Sequence, residues 1–451
     1  MVDARPRTGP RLRGVTLIEL LVAATLALVM MGAVASLFGV FGRSVKQSQA
    51  TMNQSSLLRS AAWQLRQDLA GVTCPLRPWL APESNAGYFE IIEGPGNDST
   101  HAIDAQGQPT ANLEADTDDI LLFTTQSLGG DFVGRFDGKT IESPYAEVAW
   151  FCRPSATQPV PGTTLYDLHR RQLLVVNYLG RSDVTNNALP STIDRAGCDI
   201  SLRSGTITGQ GQVLLPNGLG DLTKRENRFM RGDYSFITES GSTRRVAAQS
   251  FPFAFPVDAG RHAISEAALD GTRRSTEDHV LTNVIGFDVR VFDPRAVVSA
   301  ADTRVPGDPG YAAPAAPLPG DCMGAYVDLG WAGGTLLVRT DAFPAAGKTA
   351  FQSAGVAVTD VPRRLGLPLP TYDTWSRHYE FNGIDDDGDG IIDEGLSGVD
   401  TTGDTFPEDT MNAETSPPYP VLLRGLEVRI RCYEPASRQV RQVTIRHHFL
   451  K

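Results

Sequence analysis

Hydrophobic and polar positions divide the chain into three regimes. From Val15 to Gly42 the residues are apolar or uncharged except for one acid, Glu19. A run of more than about 20 such residues is long enough to cross a bilayer as a helix. Beyond it the pattern becomes amphipathic. Leu57, Leu58, Ala61, Ala62, Leu65 and Leu69 recur at helical spacing, with Arg59, Arg66 and Asp68 between them, and Gly71 and Pro75 follow as stop signals. The pattern therefore predicts one helix from Val15 to about Ala70, roughly 80 Å long at 1.5 Å per residue. Its second half is expected to dock on a globular body, with Trp63 as a packing residue.

Past Cys74 the period changes from helical to strand-like. Apolar, β-branched runs at 119–124, 146–151 and 172–176 are bounded by Gly, Pro, Asn or Asp and read as strands. The alternation at 285–291 predicts Ile285, Phe287, Val289 and Val291 on one face, and 426–432 repeats the pattern. Residues 435–438 read as a turn into a last strand at 440–449, which closes a C-terminal hairpin. The expected fold class is α+β: a long N-terminal helix packed on a predominantly antiparallel β body. A Pro, Gly and Ala-rich stretch at 295–420 is too polar and too broken for a second core, and is expected to be an insertion of loops with a few short strands.

Composition narrows the function. A content of 41% hydrophobic and 21% charged residues is that of a folded protein. A formal net charge of -11 argues against general affinity for nucleic acid or for anionic lipid surfaces. Arg5, Arg7, Arg11 and Arg13 precede the apolar run with only Asp3 opposing them, so this flank is expected to stay cytoplasmic and the remainder to be exported. Cys74, Cys152, Cys198, Cys322 and Cys432 are far apart with no CxxC pair, which gives little support to a structural zinc. An exported body permits one or two disulfides and leaves one thiol unpaired.

A charge just inside an apolar run normally marks a function and a partner. An ordinary signal peptide, with Ala33-Val34-Ala35 as its cleavage site, leaves Glu19 unexplained, and so does a plain anchor. Gly14 followed by Val15-Thr16-Leu17-Ile18-Glu19-Leu20-Leu21-Val22 resembles the type IV prepilin signal. That resemblance implies that a prepilin peptidase/methyltransferase cuts after Gly14 and methylates the new amino terminus. The mature chain then begins at Val15, with Glu19 in its fifth position. The usual first residue is Phe, so Val15 is a departure. A carboxylate among packed apolar helices needs a cationic or hydrogen-bonding partner, which the freed α-amino group of the same or a neighbouring subunit can supply. Glu19 then acts as a register pin during assembly. The plainer alternative is a glutamate snorkelling to the cytoplasmic interface.

Further segments resemble the PilW-type minor pilins and the related GspJ-type minor pseudopilins of type II secretion. They are residues 63–69 at the end of the amphipathic helix, the strand that opens with Asp119, 148–154 followed by 165–171, the strand around Gly286, and 422–428. The resemblance implies a minor pilin that shares a type IV pilus with other major and minor pilin subunits. Such a protein is held in the inner membrane with a periplasmic body, then takes part in pilus assembly or priming near the tip of the extracellular fibre. A minor pseudopilin of a periplasmic pseudopilus has the same features. A freely secreted calcium-dependent adhesin, with a role in cell adhesion, is the reading from another class.

The expected organisation is a leader at 1–14, the pilin helix at 15–71, a β-rich body at 72–294, the insertion at 295–420 and the closing hairpin at 421–451. Within the insertion, residues 382–394 carry calcium-type spacing. Asp385, Asp387 and Asp389 fall at positions one, three and five of an EF-hand-type loop, Gly390 supplies the turn, Ile391 offers a carbonyl at seven, and Asp393 falls at nine. Position twelve is Leu396 instead of the usual glutamate, with Glu394 or Asp400 as substitutes. An acidic solvated turn is the competing explanation. Other motifs carry little. Arg231-Gly232-Asp233 is a chance-level tripeptide, and His447 and His448 alternate across a strand, so they cannot chelate one ion together. With no nucleophile, metalloprotease, phosphate-loop or dinucleotide fingerprint, no enzyme is expected.

Overall fold

The computed structural model describes residues 15–76, 82–92, 115–136, 139–176, 199–207, 211–230, 234–239, 242–247, 277–300, 319–329, 371–374, 384–385 and 422–449. The apolar run and the amphipathic run form one helix, α1 (Leu17–Ala70). It ends at Gly71, whose backbone N–H bonds back to the last turn. A Cβ on Gly71 would stand 2.1 Å from the carbonyl oxygen of Gln126, so only glycine lets the chain leave the helix this close to the sheet.

The strands in chain order are β1 (Phe89–Ile92), β2 (Ile120–Gln126), β3 (Phe132–Phe136), β4 (Lys139–Ser143), β5 (Tyr145–Pro154), β6 (Tyr166–Leu174), β7 (Leu202–Ile207), β8 (Gly211–Pro216), β9 (Tyr234–Glu239), β10 (Ser242–Ala247), β11 (Glu277–Val298), β12 (Cys322–Val327), β13 (Thr371–Asp373), β14 (Ile384–Asp385), β15 (Gly425–Glu434) and β16 (Gln439–His448). Nine of them make one sheet in the order β13-β1-β2-β5-β6-β11-β15-β16, with β12 also paired to β11. All its pairings are antiparallel. β15 and β16 form the closing hairpin that the turn at 435–438 predicts.

The second half of α1 lies on this sheet. Leu58, Ala62, Leu65 and Leu69 join Phe123, Val148, Trp150, Leu168, Phe287, Val289 and Val428 in the main core. Two residues differ from expectation. Trp63 is 62% exposed and Leu57 is 48% exposed, because the buried stripe through positions 58, 61, 62, 65 and 69 leaves both to its sides. Trp63 is therefore not a packing residue within this chain. The helix is pinned by charge as well. Asp68, buried, accepts from Arg170 Nε at 2.7 Å and Nη2 at 2.9 Å and from Trp150 Nε1 at 2.9 Å. This bidentate pair meets the requirement that a buried ion be matched and hydrogen-bonded.

The opposite face of the sheet has its own cluster of Tyr88, Leu122, Phe151, Leu173, Leu222 and Phe229. There the fully buried Arg228 pairs with Glu90 at 3.0 Å and Asp373 at 2.9 Å, and its guanidinium sits 4.1 Å from the centre of the Tyr88 ring.

Three strand expectations shift. Against β15, β11 changes register between Val284 and Gly286. The slip moves Ile285 off the face of Phe287, Val289 and Val291 to pack with Leu165 and Tyr433, so the four residues do not share one face. The strand expected at 172–176 begins earlier, at Tyr166, and ends at Leu174. Parts of the 295–420 stretch extend the first core: β12 and β13 belong to the main sheet, and Val327, Leu329 and Tyr372 are buried in its principal cluster. Cys74, Cys152 and Cys432 are buried free thiols and Cys322 is an exposed one. Cys198 and residues 231–233 lie outside the described residues.

Candidate functional site

The amino-terminal end of α1 is built by a local rule. Thr16 is extended, with φ of -74° and ψ of 151°, and forms the N-cap. Its hydroxyl oxygen accepts from the Glu19 N–H at 3.3 Å. In return Glu19 Oε2 accepts from the Thr16 N–H at 2.9 Å and the Thr16 hydroxyl at 3.1 Å. This reciprocal capping box satisfies backbone donors that a helix start leaves unpaired. Within this chain the hydrogen-bonding partner of Glu19 is Thr16, and both bonds go to Oε2. The T-x-x-E spacing at 16–19 was the available signal for Thr16. The carboxylate also sits where the positive end of the helix dipole favours an anion.

From Val15 to Gln49 every residue is exposed. The segment is apolar and long enough to cross a bilayer. Ile18, Glu19, Val22, Ala23 and Leu26 line one strip of this surface, so Glu19 lies beside a shallow apolar track. Gly14 lies outside the described residues. An isolated water-exposed helix of this composition is not a stable end state. It calls for a bilayer, for other helices, or for removal as a signal.

Of the calcium-type loop, Asp385 is placed by its backbone, in β14, which pairs in parallel with β10 (Val246 opposite Asp385). Asp387, Asp389, Ile391 and Asp393 lie outside the described residues.

Sequence spacing missed two further groupings. Asp116, Asp119 and Asp288 bring buried carboxylates together. They stitch the segment before β2 onto β11: Asp119 Oδ2 accepts from the Val289 N–H at 2.7 Å, and the Asp116 carbonyl accepts from the Phe287 N–H at 2.6 Å. Arg290 Nε neutralises part of this charge, lying 3.1 Å from Asp288 and 3.0 Å from Asp328. The second grouping, Asp167, His169 and His279, joins β6 to β11. His279 is about 110 positions from the other two, and nothing local in the sequence links it to them. His447 and His448 close β16, and burial lowers the affinity of the His447 imidazole for its proton.

Comparison of the chain with known protein families, with curated proteins and with solved structures gives no match.

Proposed function

We propose that the chain is a non-enzymatic filament subunit of the type IV pilin class, a minor pilin stored in the inner membrane by α1 before it enters a fibre. The observation that carries this reading is the division of one continuous helix into a docked half and a wholly exposed apolar half, with the only charge of the apolar run at its capped start. A helix of this kind partitions into lipid as a monomer and exchanges lipid for neighbouring helices on assembly. Glu19 supplies register: its carboxylate is oriented by Thr16, and a subunit inserted one step out of place leaves that charge among apolar side chains without a cation.

In this reading the basic leader is removed after Gly14 by the prepilin peptidase, and the α-amino group of Val15 becomes the matching cation. Priming and a position near the fibre tip follow from the resemblance to PilW-type proteins. Calcium at 382–394, held by Asp385, Asp387, Asp389, the Ile391 carbonyl and Asp393, orders the surrounding insertion by screening mutual carboxylate repulsion.

Mass spectrometry of the protein recovered from its native membrane tests the reading. A methylated Val15 terminus is expected; a terminus that retains the arginine-rich leader, or one near Ser36, overturns it. With the same terminus in hand, Glu19→Ala is expected to remain membrane-bound and to enter sheared fibres at a clearly reduced level.

A further inference from the structure

We propose that Asp167, His169 and His279 form a binding site for a divalent transition-metal ion of zinc's class, independent of the filament reading and of the calcium-type loop. His169 on β6 and His279 on β11 are direct partners across an antiparallel pair, so their side chains leave the same face of the sheet. Asp167 lies two residues before His169 and shares that face. One potential ligand atom from each of the three lies within 4.8 Å of the other two. Asp167 Oδ2 and His279 Nε2 are 3.4 Å apart. Tetrahedral zinc with bonds of about 2.0 to 2.2 Å separates its ligand atoms by about 3.4 Å, so this edge already has the spacing that a shared zinc ion requires.

The support is rigid. β6 is a central strand, flanked by β5 and β11. The His169 ring stacks on Phe151 at 5.8 Å with an interplanar angle of 12°, and the two imidazoles meet at 5.3 Å. Three arginines lie nearby on these strands. Arg170 holds Asp68 on the opposite face, the Arg153 guanidinium lies 5.1 Å from the centre of the Phe151 ring, and that of Arg171 lies 5.7 Å from the centre of the Phe229 ring.

Two imidazoles and one carboxylate are a donor set for zinc and its neighbours, not for calcium, which prefers oxygen alone. His279 is about half exposed, which gives the ion an entry path and leaves a coordination position for water. Occupancy would clamp the start of β11 to β6 beside the register shift between His279 and Leu281, where the ladder is interrupted.

The test uses the full chain without a polyhistidine tag, purified in detergent and stripped with chelator. Titration with zinc is expected to give one equivalent bound, and cobalt is expected to show visible d–d absorption without a thiolate charge-transfer band. His279→Ala and His169→Ala are each expected to weaken zinc binding by about tenfold or more, and Asp167→Asn by less. His279 is exposed enough for its variant to fold, which an unchanged far-UV circular dichroism spectrum checks. Absence of zinc binding by the native chain overturns the proposal. So does a folded His279→Ala chain that binds zinc as tightly as the native one, or a thiolate band that puts the metal on cysteine.

Discussion

The two halves of α1 share one backbone and one set of hydrogen bonds, yet they owe their stability to different surroundings. From Val15 to Gln49 nothing is buried, whereas from Ala50 to Ala70 a stripe of Leu58, Ala61, Ala62, Leu65, Asp68 and Leu69 is packed against the sheet. Each leucine buried in that stripe contributes about 1.5 to 3 kcal/mol of transfer free energy, and the exposed leucines of the first half contribute none until lipid or another helix covers them. The difference teaches that helix formation and helix anchoring are separate problems. The first half contains no proline, and its three glycines, Gly32, Gly39 and Gly42, are each isolated among better helix formers. The second half is fixed in place because Asp68 and the apolar stripe match a particular sheet.

The strongest way to break this comparison is Asp68→Ala. It leaves Arg170 buried without its main acceptor and is expected to destabilise the body by about 3 to 5 kcal/mol. Chemical denaturation of the detergent-solubilised chain, followed by tryptophan fluorescence, measures it. In the same assay Leu26→Ala, in the exposed half, should stay within about 0.5 kcal/mol of the native chain. Equal losses from the two substitutions would mean that the halves are not independent.

A somewhat smaller effect separates positions within the docked half. Leu65 is fully buried and Leu57 is half exposed. Leu65→Ala is expected to cost about 2 to 5 kcal/mol, and Leu57→Ala less than about 1 kcal/mol. Similar values for the two would move the contact stripe.

A last contrast is set by pH. Burial pushes the thiols of Cys74 and Cys432 from the usual 9.0 up to about 12. Folded protein thus keeps protons that the unfolded chain releases. The stability from these thiols is fully present below pH 9.0 and is lost as pH rises toward 12, by at most about 1.4 kcal/mol per pH unit for each thiol. Denaturation midpoints should fall over that window. The exposed half of α1 buries no residue against the body, so its helical signal in detergent should persist after the body has unfolded. Simultaneous loss of both signals would erase the distinction.

Legibility in the sequence followed the range of the interaction. The helix, its stop at Gly71, the C-terminal hairpin and the antiparallel character of the body all rest on contacts or periodicities within a few residues, and all could be read in advance. Glu19 stood out because a lone charge contrasts with its neighbours. Its bond to Thr16 was also legible, from three-residue spacing. The exposure of Trp63 is not legible in the sequence, because hydrophobicity says that a side chain can pack, not which side of the helix meets the sheet. The facing of Ile285 is not legible either, because a one-residue slip moves a side chain to the other face, and the slip is made against β15, more than a hundred residues away.

By itself, then, the sequence determined the long apolar helix, its capped start, its glycine stop and the strand-rich body, since each follows from side-chain chemistry acting over one or two turns. Only the tertiary structure decided that Asp68 meets Arg170, that β12 and β13 join the main sheet from within a Pro, Gly and Ala-rich part of the sequence, and that His279 stands opposite Asp167 and His169. Those pairings depend on which distant strands lie side by side, and no local pattern records that choice.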